Sequence, residues 1–120
     1  MDIKVARVYE DPGRDQDDYR VLVDRLWPRG VSKAMIDIDE WVKILAPSNT
    51  LRKYYNHDIS KYKEFVILYY EELNDPLATE KLIELTEIAR KKKVILLTAT
   101  KDMEHSAAFV LANYLSEMIK

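Results

Sequence analysis

The chain has 120 residues, 48% of them hydrophobic, so residues 1–120 suffice for one domain with a core of its own. It contains no cysteine, which excludes disulfides, thiolate nucleophiles and cysteine metal sites. A formal net charge of −2 gives the chain no overall pull toward nucleic acid or membrane, and two glycines, Gly13 and Gly30, are too few for a Rossmann fingerprint or a Walker loop.

Ile3 to Tyr9 alternates, with Ile3, Val5 and Arg7 on one side and Lys4, Ala6 and Val8 on the other, and is predicted as a first strand. Glu10 to Asp18 follows as an acidic, solvated and mobile loop with a turn at Pro12-Gly13. Tyr19 to Leu26 is predicted as a second strand centred on Val21, Leu22 and Val23, and Pro28 and Gly30 stop any regular element after it. The middle of the chain reads as helical. Asp39 to Leu45 carries Trp41, Ile44 and Leu45 on one face and is ended by Pro47. Ser48 can cap a short helix holding Leu51, Tyr54 and Tyr55, and Asp58 or Ser60 can cap the next, where Tyr62, Phe65, Val66, Tyr69 and Leu73 recur at helical spacing. Asp75-Pro76 opens a helix to about Lys92, with a cationic last turn that suits the macrodipole.

Val94 to Leu97 is an uninterrupted apolar run, as expected of a strand covered on both faces. It passes through Thr98-Ala99-Thr100 to Asp102, which can cap a helix from about Met103 to the C-terminus. A buried strand feeding a capped helix is where α/β proteins build sites, outside the carboxyl end of the strand. The expected fold is a single α/β domain of three-layer type, with a small three-stranded, largely parallel sheet flanked by helices. The second and third strands, separated by several helices, are expected to be parallel with a right-handed crossover. The first two could be parallel or could pair as a hairpin. No stretch reads as a signal peptide or a bilayer span, so the cytoplasm is the expected location.

Several blocks together resemble one family. Arg20-Val21-Leu22-Val23-Asp24-Arg25-Leu26-Trp27-Pro28-Arg29-Gly30-Val31-Ser32-Lys33 is the first block. Leu45-Ala46-Pro47-Ser48 with Leu51-Arg52-Lys53 is the second, and His57-Asp58 with Phe65 and Tyr69 is the third. Leu96-Leu97 through Asp102-Met103-Glu104-His105, closed by Val110-Leu111 and Tyr114-Leu115, is the last. In order and content these resemble the YeaO-like branch of the domain of unknown function 488 family. The resemblance implies a compact α/β domain with a small parallel sheet, and the helix that longer relatives place between their first two strands favours the parallel arrangement. It brings no established activity with it. Longer relatives often have cysteine at the position of Thr98 and a Cys-His-Arg run in place of Ser106-Ala107-Ala108, so any thiol or metal chemistry of theirs is absent here. The short branch usually has Asn where this chain has Ser106, and a Trp-Phe pair where it has Tyr54-Tyr55.

The candidate chemistry lies at the two strand ends. Arg25 and Arg29 can grip a phosphate or carboxylate and Trp27 offers a stacking face, with Thr98 and Thr100 beside them as further ligand-binding candidates. Against this, the arginines could pair with Asp24 and other carboxylates, and Trp27 could be core. Asp24, Asp102 and His105 are the candidate proton carriers, His105 because a helix start favours its neutral ring. Asp102 could equally be a cap, His105 could merely bond a carboxylate, and His57 reads as fixing a helix start beside Asp58. The two histidines have no metal-ligand spacing, and neither metal nor cofactor is expected. Lys91-Lys92-Lys93 with Arg90 is explained by its helix end without nucleic acid. A small anionic ligand is the expected partner, bound either by a small enzyme acting on an anionic or nucleotide-like molecule or by a non-catalytic ligand- or protein-binding module. A crevice in which Asp24 and His105 are both tied into structural bonds would favour the module. No oligomeric state follows from the residues.

Overall fold

The computed structural model describes residues 3–11 and 13–119. Pro12 of the expected Pro12-Gly13 turn and Lys120 of the last helix lie outside them. Strands β1 (Ile3–Arg7), β2 (Asp18–Leu22), β3 (Glu40–Trp41) and β4 (Lys93–Thr98) form one sheet in the order β1-β4-β2-β3. Every pairing is parallel. β1 and β2 therefore do not form a hairpin; each lies against one side of β4, with Ile3 opposite Val94 and Tyr19 opposite Val94 from the other edge.

The sheet has four strands rather than the expected three. The added strand, β3, comes from the segment read as a helix over Asp39 to Leu45, of which only Lys43–Leu45 forms a 3-10 turn. Asp39 explains the difference. Its N–H donates to the Arg20 carbonyl at 2.7 Å and its carboxylate accepts from the Arg20 N–H at 2.8 Å. These bonds lay the chain alongside β2, and a seven-residue segment has too little helical stability of its own to resist. A two-residue strand also leaves no readable period.

Four α-helices follow: α1 (Asn49–Tyr55), α2 (Tyr62–Leu73), α3 (Pro76–Ala89) and α4 (Ala107–Ile119). The Ser48 hydroxyl caps α1 by accepting from the Leu51 N–H at 3.1 Å, and is itself held by Glu72 at 2.6 Å. Asp75 caps α3, with Pro76 opening it. Asp58, not Ser60, is the cap before α2, on a 3-10 turn over Ile59–Lys61. α3 stops at Ala89, short of Lys92. The last helix departs furthest from expectation. Met103–His105 is a 3-10 turn and α4 starts at Ala107. Ser106, at φ −92° and ψ 160°, has the extended backbone of an N-cap, and its hydroxyl accepts from the Phe109 N–H at 3.1 Å. Asp102 makes no side-chain cap bond.

All four helices pack into one core with Val94 and Leu96 of β4 and Val21 of β2. The opposite face of the sheet, carrying Ile95, Leu97 and Leu22, is covered by irregular chain, Ile36 with Trp27, Val31 and Ile38, and by Trp41 of β3. A loop can hold that position because it is tied down by charge. Arg14 grips the Asp37 carboxylate with two bonds, at 2.6 and 2.9 Å, and Asp39 at 3.1 Å. Arg20, fully buried, bonds the Asp11 carboxylate, the Asp37 carbonyl and the Gly13 carbonyl. The acidic loop is solvated as expected, with residues 13–17 exposed, but Arg14 and Arg20 tie it to β2 and to residues 37–39. Charge density alone hides this, because the arginines that satisfy it are interleaved in the same stretch.

Candidate functional site

The carboxyl ends of β2 and β4 meet at Asp24. One carboxylate oxygen accepts from the Thr98 hydroxyl at 2.7 Å, and the other from the Ala99 N–H at 2.8 Å. Its carbonyl accepts from the Trp41 indole N–H at 2.7 Å. The Thr98 hydroxyl in turn accepts from the Thr100 N–H at 3.2 Å. Asp24 is therefore the tie between two strand ends 74 residues apart in sequence, and the two ends form one edge as expected. Burial pushes its carboxyl up, against the opposing pull of the Ala99 and Thr98 bonds.

This shift has a signed consequence. A carboxyl whose folded pKa is raised contributes most to stability below its unfolded value, about 3.9, and loses that contribution as pH rises through the folded pKa. Asp24→Asn carries no such charge, and its amide can still donate to the Thr98 oxygen and accept from Ala99. Urea unfolding across a pH series should show the variant gaining on the parent from about pH 4 towards neutrality. A difference that does not change with pH would mean that Asp24 titrates alike in the folded and unfolded chains.

Around this tie opens a cleft of about 580 Å³, and the loop after Leu22, Pro47, the end of α1 and the start of α4 all contribute to it. Four permanent cations line it, Arg25, Arg29, Arg52 and Lys53, with His57 as a fifth basic group; Asp24 is the one carboxylate among the described residues that line it. Arg25 is half-buried, and its guanidinium donates to the Pro47 carbonyl at 2.9 Å and the Ala46 carbonyl at 3.5 Å. Arg52 donates to the neutral Asn49 side chain at 2.9 Å. Among the described residues no carboxylate lies within ion-pair distance of Arg25, Arg29 or Arg52. The structural alternative for Arg25, pairing with Asp24, is not what the chain does: Arg25 is turned to the Pro47 and Ala46 carbonyls, and Asp24 to Thr98 and Ala99. Arg14 and Arg20, at the other end of β2, show the contrasting state in which carboxylates neutralise each guanidinium.

The remaining sequence candidates separate into three groups. Arg29 and Thr100 line the cleft, whereas Thr98 is buried beneath it as the support of Asp24. Trp27 lines the cleft with part of its surface, but its ring meets Trp41 edge-on at 5.2 Å and its N–H is given to the Val31 carbonyl, so it serves mainly as packing. Asp102 borders an adjoining recess of about 400 Å³ with Lys101 and His57. His105, expected in the first turn of the last helix and facing the crevice, lines neither space. Its Nδ1 pairs with the Asp102 carboxylate at 2.8 Å and its ring meets Tyr62 edge-on at 5.0 Å. Its carbonyl accepts from the Tyr55 hydroxyl at 2.7 Å, and burial pushes that phenol up to about 12. The 3-10 turn is what turns it away, because the helix starts only at Ala107, two residues after His105.

His57 takes the place expected of His105. Asn56 and His57 both adopt left-handed backbone, at φ 42° and 57°, immediately after α1. Asn tolerates this conformation, but for His it carries strain of order 1–3 kcal/mol, of the sort that accumulates at functional sites. The bend brings the imidazole to both the cleft and the adjoining recess. Arg52, Lys53 and His57 were the cleft residues that sequence reasoning missed. The signal was present, since all three stand in family blocks as polar residues in or just after a short helix, but α1 had no visible link to the strand ends.

A family model described as the inactive DUF488-N3 subclade matches residues 2–120. The chain belongs to this subclade. Curated relatives agree with that placement. YeaO of Escherichia coli is 40% identical over 118 residues, 98% of this chain and all of its own length. An uncharacterised protein of Mycobacterium bovis is 43% identical over 114 residues, 95% of this chain and 93% of its own. No solved structure matches the chain. In this DUF488-N3 chain the β4–α4 junction holds Thr98 and Ser106 in structural bonds, the first to Asp24 and the second as the helix cap. No helix is long and apolar enough to cross a membrane among the described residues.

Proposed function

We propose that the chain is a non-catalytic binding module for a small anionic ligand, a phosphate or carboxylate, held in the cleft at the carboxyl edge of the sheet. The observation that carries this reading is the imbalance of the cleft: four permanent cations face a single carboxylate, and both oxygens of that carboxylate are already bonded. Two of the four, Arg25 and Arg52, are half-buried guanidiniums without a carboxylate partner, and an arriving anion would supply the missing charge. Arg25 is held by two main-chain carbonyls, so its remaining N–H groups are oriented before any ligand comes. The same geometry argues against proton transfer by Asp24 or His105. Two of the expected proton carriers are tied into structural bonds: each Asp24 oxygen accepts a bond from the β4 end, and His105 lies outside the cleft with its Nδ1 on Asp102, which leaves His57 as the imidazole that lines it. The absence of cysteine suits a reducing cytoplasm as its setting.

Calorimetric titration with inorganic phosphate, citrate and ribose 5-phosphate tests the reading. At least one should bind, and Arg25→Ala should weaken it roughly 10- to 150-fold, the worth of a hydrogen bond to a charged group. If none of the three binds, or if binding is indifferent to Arg25→Ala, the cleft is not an anion site.

A further inference from the structure

The cleft is far larger than an inorganic anion needs. About 580 Å³, with a further recess of about 400 Å³ reached past His57, falls in the range that organic ligands and cofactors fill. The question is what chemistry would occupy the space beyond the guanidiniums. Among the aromatic rings on the cleft wall, Tyr55 and Phe65 are buried and stacked on each other, with centroids 4.2 Å apart, and Trp27 is committed to Trp41. Tyr9 differs. It is 46% exposed, yet it is not loose. Its hydroxyl donates to the Arg29 carbonyl at 2.8 Å, and the Arg7 guanidinium lies over the ring, 5.1 Å from its centroid. A ring held at its edge and backed on one face has little freedom to lose when a flat group docks on its open surface. The Arg7 cation would also draw electron density from the ring and favour an electron-rich partner.

Resting on the anion-binding reading above, we propose that Tyr9 is the stacking platform of the cleft and that the ligand is a nucleoside phosphate. The phosphate meets Arg25 and its neighbouring cations, and the base lies against Tyr9. The hydrogen bond from Tyr9 to the Arg29 main chain couples the two halves, because it fixes the ring relative to the loop that carries Arg29. Stacking of this kind accepts any base, since every base has a π-face.

The test compares adenosine 5′-monophosphate with ribose 5-phosphate, which share the phosphate and differ in the base, by calorimetry on the parent, Tyr9→Leu and Tyr9→Trp. The parent should prefer the nucleotide by roughly 5- to 150-fold, the range measured for base–aromatic stacking. Tyr9→Leu should bring that ratio close to one, and Tyr9→Trp should keep it. Because the readout is a ratio, any general effect of the substitution on the Arg29 loop cancels. A parent ratio near one, or a preference that survives Tyr9→Leu, overturns the platform. Ribose 5-phosphate that still binds the parent and is lost from Arg25→Ala would then leave the anion site standing. If neither compound binds the parent, the nucleotide proposal falls, and the anion reading falls with it when inorganic phosphate and citrate also fail to bind.

Discussion

Arg20→Ala should unfold roughly 10–20 °C below the parent, the largest loss expected of any single substitution here. Arg20 is 1% exposed and satisfies three acceptors at once: the Asp11 carboxylate and the carbonyls of Gly13 and Asp37. Taking out one member of a buried ion pair costs about 3–5 kcal/mol, most of it from the charge left behind without a partner. Here the stranded group is Asp11, whose side chain is only 14% exposed. The two carbonyls lose their donors as well, which loosens the acidic loop and leaves the 37–39 segment held to β2 by the Asp39 bonds to the main chain of residue 20 and by Arg14. A double variant separates charge from packing. Arg20→Met keeps the stem and still strands Asp11; adding Asp11→Leu removes the stranded charge and should recover part of the loss. Thermal unfolding followed by circular dichroism reads all three. If Arg20→Ala falls by less than about 3 °C, the clamp is not what holds the loop layer on the sheet.

Phe65→Ala comes next, with an expected cost of about 3–5 kcal/mol. Phe65 is 1% exposed and lies between two tyrosines, stacked on Tyr55 at 4.2 Å and on Tyr69 at 5.6 Å. Truncation leaves a void that two large rings cannot close without giving up hydrogen bonds, since the Tyr55 hydroxyl holds the His105 carbonyl and the Tyr69 hydroxyl the Leu45 carbonyl. Because Phe65 also lines the cleft, the variant should bind phosphates more weakly than the parent even where it remains folded. Phe65→Leu refills most of the volume and should regain more than half of the stability. Urea denaturation gives the stability values, and calorimetry below the unfolding midpoint gives the affinity. A Phe65→Ala protein that loses stability but binds as the parent does would show that the cleft floor tolerates a slack core.

Much of this molecule is legible in its residues, and the parts that are not have physical reasons. β4 announced itself because a strand covered on both faces must be continuously apolar, and Val94 to Leu97 is. α1 and α3 could be read because Ser48 and Asp75-Pro76 are local devices that work without tertiary help. The joining of the β2 and β4 ends followed from the parallel rule alone. β3 was invisible because it is made by Asp39 bonding across to Arg20, a contact no window of sequence contains. The start of α4 was misplaced by four residues because Asp102 and Ser106 are both sound caps, and the choice between them is made by the 3-10 turn. That one displacement also carried His105 out of the cleft. The residues that replaced it, Arg52, Lys53 and His57, belong to a helix whose place over the strand ends is decided by packing of Leu51 and Tyr55 into the core.

The order of strands in the sheet sets a timetable for folding. β4 lies between β1 and β2, yet it follows both in the chain, with its first residue at Lys93. Until β4 is synthesised, β1 has no neighbour at all and β2 has only the two-residue β3. Apolar strands must therefore wait, with unpaired edges, while about three-quarters of these 120 residues emerge, at a pace of roughly 5–20 residues per second. Long-range parallel pairing is slow in its own right, because loop closure must precede any reward from contact. The nascent chain is thus expected to spend several seconds as a client for chaperones, and its yield in a cell should depend on them more than the stability of the finished protein would suggest.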